Sequence, residues 1–233
     1  MPEKDEFNLD VEEMAKAGLH LGHKTSKLHP KMMPFIFGMR NTVHVIDLEK
    51  TKEKLKEALK FISQIVAEGK TILFVGTKVQ IRDLVKELAQ ETGFPYVVSR
   101  WLGGTFTNFN VIRKRVEYLL DLEKKQAEGY FEKYTKKERA EIEKEIAKLK
   151  EKFEGLKNLE RLPDAIFICD MVKDKLAVKE AREKGVKIIA ICDTNADPTL
   201  ADYPIPANDE AISSVKYILE KVKMAILKAK SKT

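Results

Sequence analysis

Four unbroken apolar runs, ILFV at 72–75, YVV at 96–98, AIFIC at 165–169 and KIIAIC at 187–192, set the strongest limit on the fold. Each is too short for a buried helix and lacks the polar alternation of a strand with one wet face, so each reads as a strand covered on both sides. Amphipathic stretches separate them. In KTKEKLKEALKFISQIVAE (50–68), Leu55, Leu59, Ile62 and Val66 recur at three and four before Gly69; in VQIRDLVKELAQETG (79–93), Ile81, Leu84, Val85 and Leu88 do the same before Gly93. Helices over about 174–184 and 209–228 complete the alternation. The pattern predicts an α/β fold, a mostly parallel sheet flanked by helices and joined by right-handed crossovers.

Two segments break that rhythm. PFIFGMRNTVHVID (34–47) places FIF and VHVI on either side of a turn at about Gly38 to Asn41, which predicts a β-hairpin over about 35–47. Between the sheet halves, Phe109, Ile112, Val116 and Leu119 recur at helical spacing. After YFEKY, Ile142, Ile146, Leu149, Phe153 and Leu156 recur at four, three, four and three, the spacing of a heptad seam. Thr135 to Glu138 has capping-box spacing, so a second helix starts there and folds back on the first. The expected division is an α/β domain over 1–107 and 157–233 with an inserted antiparallel coiled-coil helical hairpin at 108–156.

Charge separates along the chain. The 233 residues hold 43 Lys and Arg against 37 Asp and Glu, a net of +6. Met14–Ile46 contains no acid but carries Lys16, Lys24, Lys27, Lys31 and Arg40 with all four histidines. Thr92–Val116 is acid-free with Arg100, Arg113, Lys114 and Arg115, and the tail after Glu220 holds Lys221, Lys223, Lys228, Lys230 and Lys232. The rest of the chain is net acidic. Withholding carboxylates from chosen segments is what a phosphate-binding surface requires, because negative fields repel a polyanion.

Other chemistries fit less well. Asp170, Asp193 and Asp197 follow strands, where parallel sheets carry ligands, and could hold a divalent ion; Asp and Asn at such positions more often shape turns and cap helices. Gly69-Lys70-Thr71 lacks the upstream glycine of a phosphate loop and precedes a strand instead of following one. His20, His23, His29 and His44 have no cysteine nearby and match no familiar zinc spacing. Cys169 and Cys192 close apolar strands and read as buried thiols. The acidic start MPEKDEFNLD does not look like a signal peptide, and no apolar run reaches the length of a membrane span, so a cytoplasmic protein is expected. In SRWLGGTFTN (99–108), Gly103 and Gly104 let the backbone approach a sugar-phosphate chain, Arg100 can grip phosphate, and Trp101 and Phe106 can stack on a base or pack in the core.

AGLHLGHKT (17–25), the HPKM to DLEKT block (29–51), ILFVGTK (72–78), RWLGGTFTN (100–108), YTKKE (134–138), LPDAIFICD (162–170), DTNADP (193–198) and PANDEAI (206–212) together resemble, in order, the bacterial small-subunit ribosomal protein S2 family. The resemblance implies a flavodoxin-like α/β domain with a coiled-coil insertion that sits on small-subunit ribosomal RNA. Neighbouring small-subunit proteins are implied as partners, and in many bacteria the docking of ribosomal protein S1. No catalysis, metal, cofactor, membrane or small-molecule substrate is implied. Two positions depart from the family pattern: Leu28-His29 stands where Trp-Asn is frequent, and Ser213 where arginine is. The expected RNA-binding residues are Lys24, Lys27, Lys31, Arg40, Arg100, Trp101, Arg113, Lys114 and Arg115.

Overall fold

A computed structural model describes residues 7–231. In chain order the elements are α1 (Val11–Lys16), β1 (Leu21–Lys24), β2 (Ile36–Arg40), β3 (Val43–Ile46), α2 (Leu48–Ala67), β4 (Ile72–Val75), α3 (Arg82–Thr92), β5 (Tyr96–Val97), α4 (Phe109–Ala127) and α5 (Lys136–Phe153). Then follow β6 (Ala165–Ile168), α6 (Lys175–Lys184), β7 (Lys187–Cys192), β8 (Tyr203–Pro206) and α7 (Ile212–Lys230). Five strands form one parallel sheet in the order β5-β4-β6-β7-β8. Counted within that sheet the order is 2-1-3-4-5, the flavodoxin-like arrangement, which reverses direction between β4 and β6. Among the described residues no helix is long and apolar enough to cross a membrane.

The apolar runs are continuous because both faces of the sheet are covered. Phe74, Phe167, Ile189 and Ile191 face one core, shared with Leu55, Ile62, Val85, Ile218 and Val222 of α2, α3 and α7. The intervening Leu73, Val75, Ile166, Ile168, Ile188 and Ala190 face a second core with Val178 and Ala181 of α6. Period-two alternation thus sorts apolar side chains between two cores instead of between core and water.

Three elements differ from the sequence reading. β8, in the run YPIP, was not expected, since Pro204 and Pro206 argue against a strand; it is tolerated because it lies at the sheet edge, pairing only with β7. The N-terminal hairpin is real but belongs to a three-stranded antiparallel sheet, β1-β3-β2. Its turn falls at Asn41 and Thr42, both at positive φ (47° and 64°), as a two-residue hairpin loop demands. Gly38 instead lies inside β2, where the register shifts between Ile36 and Gly38. The short helix α1 also escaped the periodicity.

Within 108–156 the chain forms α4 and α5. Thr135 accepts from the Glu138 amide while the Glu138 carboxylate accepts from the Thr135 amide at 2.8 Å, completing the capping box. Val116, Leu119 and Leu122 of α4 share an apolar seam with Ile142, Ile146, Leu149 and Phe153 of α5, and the Tyr118 hydroxyl donates to Glu145 at 3.2 Å. That seam runs without a break into the second core, in which Phe153, Leu156 and Leu159 join Val75 and Ile168. At the junction Gly155 lies against the Tyr96 carbonyl, where any Cβ would collide with backbone.

Candidate nucleic-acid interface

The first acid-free window is pinned to the carboxyl end of the large sheet by its histidines and backbone. His23 on β1 contacts Asp193 at 3.1 Å through Nδ1 and Glu210 at 3.0 Å through Nε2. Its amide donates to Thr194 Oγ1 at 2.9 Å, and the His29 amide donates to the Thr194 carbonyl at 2.8 Å. The hydrogen bond to Asp193 raises the His23 pKa despite opposing desolvation. Among the described residues no group of three or more His, Cys, Asp or Glu is placed to hold a metal ion.

With its underside anchored, the small sheet presents cations outward. Lys24 and Arg40 both stand opposite Val43, from β1 and β2 respectively. Laterally aligned residues share a face, so the two charges emerge on the same side about 10 Å apart. Lys24, Lys27 and Arg40 are exposed and, among the described residues, form no side-chain hydrogen bond or ion pair. Lys31 differs: its ammonium binds Asp197 Oδ2 and Thr199 Oγ1, each at 2.8 Å. Burial opposes ionisation of Asp197, yet Lys31 and Thr199 together bring its pKa down to about 2.

The second window is spent differently. Glu180 on α6, buried at 4% exposure, accepts from the amides of Gly104 (2.7 Å), Phe106 (2.8 Å) and Thr107 (3.2 Å) and so fixes the loop after β5. Gly104 has φ +92°, a conformation that this turn reserves for glycine. Trp101, expected as a stacking residue, is 5% exposed and packs edge-on against Phe106 at 5.0 Å. A ring so placed cannot offer its face to a base at the surface, and the core reading of both aromatics holds. Arg113 is also consumed: it donates to the carbonyls of Lys157 (3.5 Å) and Leu159 (3.2 Å) and pairs with Glu117 at 3.3 Å, tying α4 to the base of the insertion. Arg100, Lys114 and Arg115 remain exposed without such partners among the described residues.

Three lysines of the basic tail are engaged by protein groups. α7 starts beside the carboxyl end of β8, where Ser214 Oγ donates to the Asn208 carbonyl, and runs back to the opposite end of the sheet. There Lys221 donates to the Asn8 carbonyl, Lys223 pairs with Glu91 and Lys230 donates to the Thr92 carbonyl. Lys232 lies outside the described residues. Lys221, Lys223 and Lys230 of the third acid-free segment are therefore engaged by protein groups.

The strand-end carboxylates are engaged by protein groups. Lys78 bridges Asp170 and Asp209, each at 2.8 Å, and Asp170 Oδ1 accepts from the amides of Val172 (2.9 Å) and Lys173 (2.8 Å). Burial, then the nearby Asp170 charge, pushes the Asp209 pKa up to about 7. These groups shape turns and tie loops together, as strand-end aspartates usually do. The sequence reading passed over Arg82, Lys152, Lys173 and Lys175, which with Arg100 and Trp101 line a cavity of about 650 Å³ beyond β4, β5 and β6. Strand-end position could have signalled Lys173 and Lys175, in the chain after β6, whereas Arg82 opens α3 and Lys152 lies on α5.

Residues 14–229 match the sequence profile described as Ribosomal protein S2. The chain is 47% identical over 220 residues to the small ribosomal subunit protein uS2 of Dictyoglomus thermophilum, an alignment covering 94% of this chain and 89% of that one. It is 48% identical over 219 residues to the protein of the same name from Roseiflexus sp. (strain RS-1), covering 94% and 84% respectively.

Proposed function

The chain belongs to the ribosomal protein S2 family, and from that premise we propose that it is a non-catalytic structural constituent of the cytoplasmic small ribosomal subunit. It holds small-subunit ribosomal RNA through backbone phosphates. The observation that carries this reading is the set of exposed cations without protein partners among the described residues, Lys24, Lys27 and Arg40 on and beside the small sheet, with Arg100 after β5 and Lys114 and Arg115 on α4. An ammonium or guanidinium that already has a carboxylate gains little from a phosphate, whereas an unpaired one releases counterions when it binds.

Protein neighbours, including ribosomal protein S1, are a finer part of the same proposal. Phe37 and Met39 are 80% and 66% exposed on β2 beside Arg40, an apolar strip that suits a protein contact next to a phosphate contact. The 108–156 insertion is proposed as the second such arm, its end carrying Tyr130, Phe131 and Tyr134 in mutual ring contact.

The test is a salt titration of RNA binding, with incorporation of the same variants into small subunits. Changing Lys24, Lys27 and Arg40 together to Gln is expected to weaken both and to flatten the salt dependence. Unchanged affinity and unchanged incorporation would remove the small sheet from the interface.

A further inference from the structure

The cavity beyond β4, β5 and β6 lies where the strand order of the main sheet reverses, the place at which doubly wound α/β sheets hold ligands. It is lined by the chain after each of the three strands, Thr77 after β4, Ser99 to Leu102 after β5 and Lys173 to Leu176 after β6, and by Arg82 of α3 and Glu151 and Lys152 of α5. At about 650 Å³ it is within the range of small-molecule sites. No phosphate loop marks it in the sequence, so side chains must do the recognising.

Two buried polar atoms in its lining lack any partner among the described residues. Trp101 Nε1 is a donor without an acceptor, and Asp174 Oδ2 is unused although its other oxygen accepts from Thr77 Oγ1 at 2.7 Å. Trp101 and Asp174 are 5% and 4% exposed. A buried donor or acceptor left without a partner is disfavoured, and a ligand hydrogen bond would relieve it. Arg100, Lys152 and Lys175 on the same lining are exposed and, among the described residues, have no hydrogen-bonded or ion-paired partner. Arg82 and Lys173 are spent on backbone carbonyls: Arg82 on those of Thr77 and Ser99, Lys173 on that of Thr77. The lining thus offers unpaired cations, one exposed carboxylate in Glu151, and one orphan donor and one orphan acceptor.

We propose that this cavity binds one nucleotide unit, its phosphate held by Arg100, Lys152 and Lys175 and its base or ribose hydrogen-bonded by Trp101 Nε1 and Asp174. A bare anion would leave Asp174 unsatisfied, and an uncharged ligand would leave the three cations unused. The unit is either a free nucleotide or one residue of an RNA chain.

Trp101 is the only tryptophan, so its indole N–H gives a single reporter signal in a ¹H–¹⁵N spectrum of the full chain. Nucleoside 5′-monophosphates should move that signal saturably, and Arg100→Gln with Lys175→Gln should weaken the effect at least about tenfold. Both residues are exposed, so the folded spectrum is retained and serves as the control. A single-stranded RNA hexamer binding at least about tenfold tighter than the monophosphates assigns the site to an RNA residue; equal affinity assigns it to a free nucleotide. An unmoved indole signal with every nucleotide, wild-type affinity in the double variant, or inorganic phosphate competing as well as the nucleotides would overturn the proposal. The variant lacking Lys24, Lys27 and Arg40 should still show the indole shift, which separates failure here from failure of the small-sheet RNA contact.

Discussion

The two acid-free windows start from the same composition and end in different employment. In the first, histidines and backbone do the anchoring, so Lys24, Lys27 and Arg40 stay in solvent. In the second, Trp101 and Arg113 are built into the fold, and a buried carboxylate from α6 holds the loop between them. Absence of acids in a stretch of sequence fixes its local charge balance. It does not decide whether an acid from elsewhere will be brought in, and Glu180, 76 residues from Gly104, is such an acid.

The largest effect that would sharpen this contrast is expected at Glu180. Glu180→Ala leaves three loop amides without their acceptor and should lower unfolding free energy by about 3 kcal/mol in urea denaturation. A change within about 0.5 kcal/mol would mean that the loop is held by something else. Next comes the small sheet, where the combined Lys24→Gln, Lys27→Gln and Arg40→Gln variant should lose about 2 kcal/mol of RNA affinity, roughly thirtyfold, with unaltered thermal stability. Arg113→Gln should show the opposite pairing, about 1 kcal/mol of stability lost with an unchanged salt slope for RNA binding. If Arg113→Gln changed the slope instead, the division between the windows would break.

The smallest effect is on pH. His23 has a raised pKa, so its protonated contact with Asp193 and Glu210 contributes fully below the unperturbed value of 6.5 and is lost as pH rises through the folded value. Asp209, at about 7, acts in the same direction, because the folded state keeps a proton that the unfolded chain has released above the ordinary aspartate value of 3.8. Hydrogen exchange at β1 should therefore quicken between about pH 6 and pH 8 beyond its intrinsic rise, and His23→Gln should remove part of that excess. An identical excess in the variant would show that His23 does not hold the small sheet in place.

Much of the fold was legible because sheet burial writes itself into sequence as unbroken apolar runs. The strands at 72–75, 165–168 and 187–192 needed no tertiary information. β8 was hidden by Pro204 and Pro206, whose acceptability depends on an edge position that only the assembled sheet defines. At the site, residue type predicted which groups could meet a phosphate, and geometry decided which are at liberty to do so. Lys31 looked like Lys24 and Lys27 until the chain brought Asp197, 166 residues away, to its ammonium. Lys221, Lys223 and Lys230 were read as part of an acid-free basic segment, and α7 delivers them to carbonyls and a carboxylate at the far end of the sheet. The cavity at the strand-order reversal was hard to see for the same reason, since its walls join three loops with Arg82 of α3 and Glu151 and Lys152 of α5, all distant in sequence.

The most direct measurement is the dependence of RNA affinity on salt for the wild-type chain and for the variant with Lys24, Lys27 and Arg40 changed to Gln. If unpaired cations on the small sheet neutralise phosphates, log affinity falls linearly with log salt, and the variant's slope is shallower by about 2. Two parallel lines, or a wild-type affinity indifferent to salt, would contradict it.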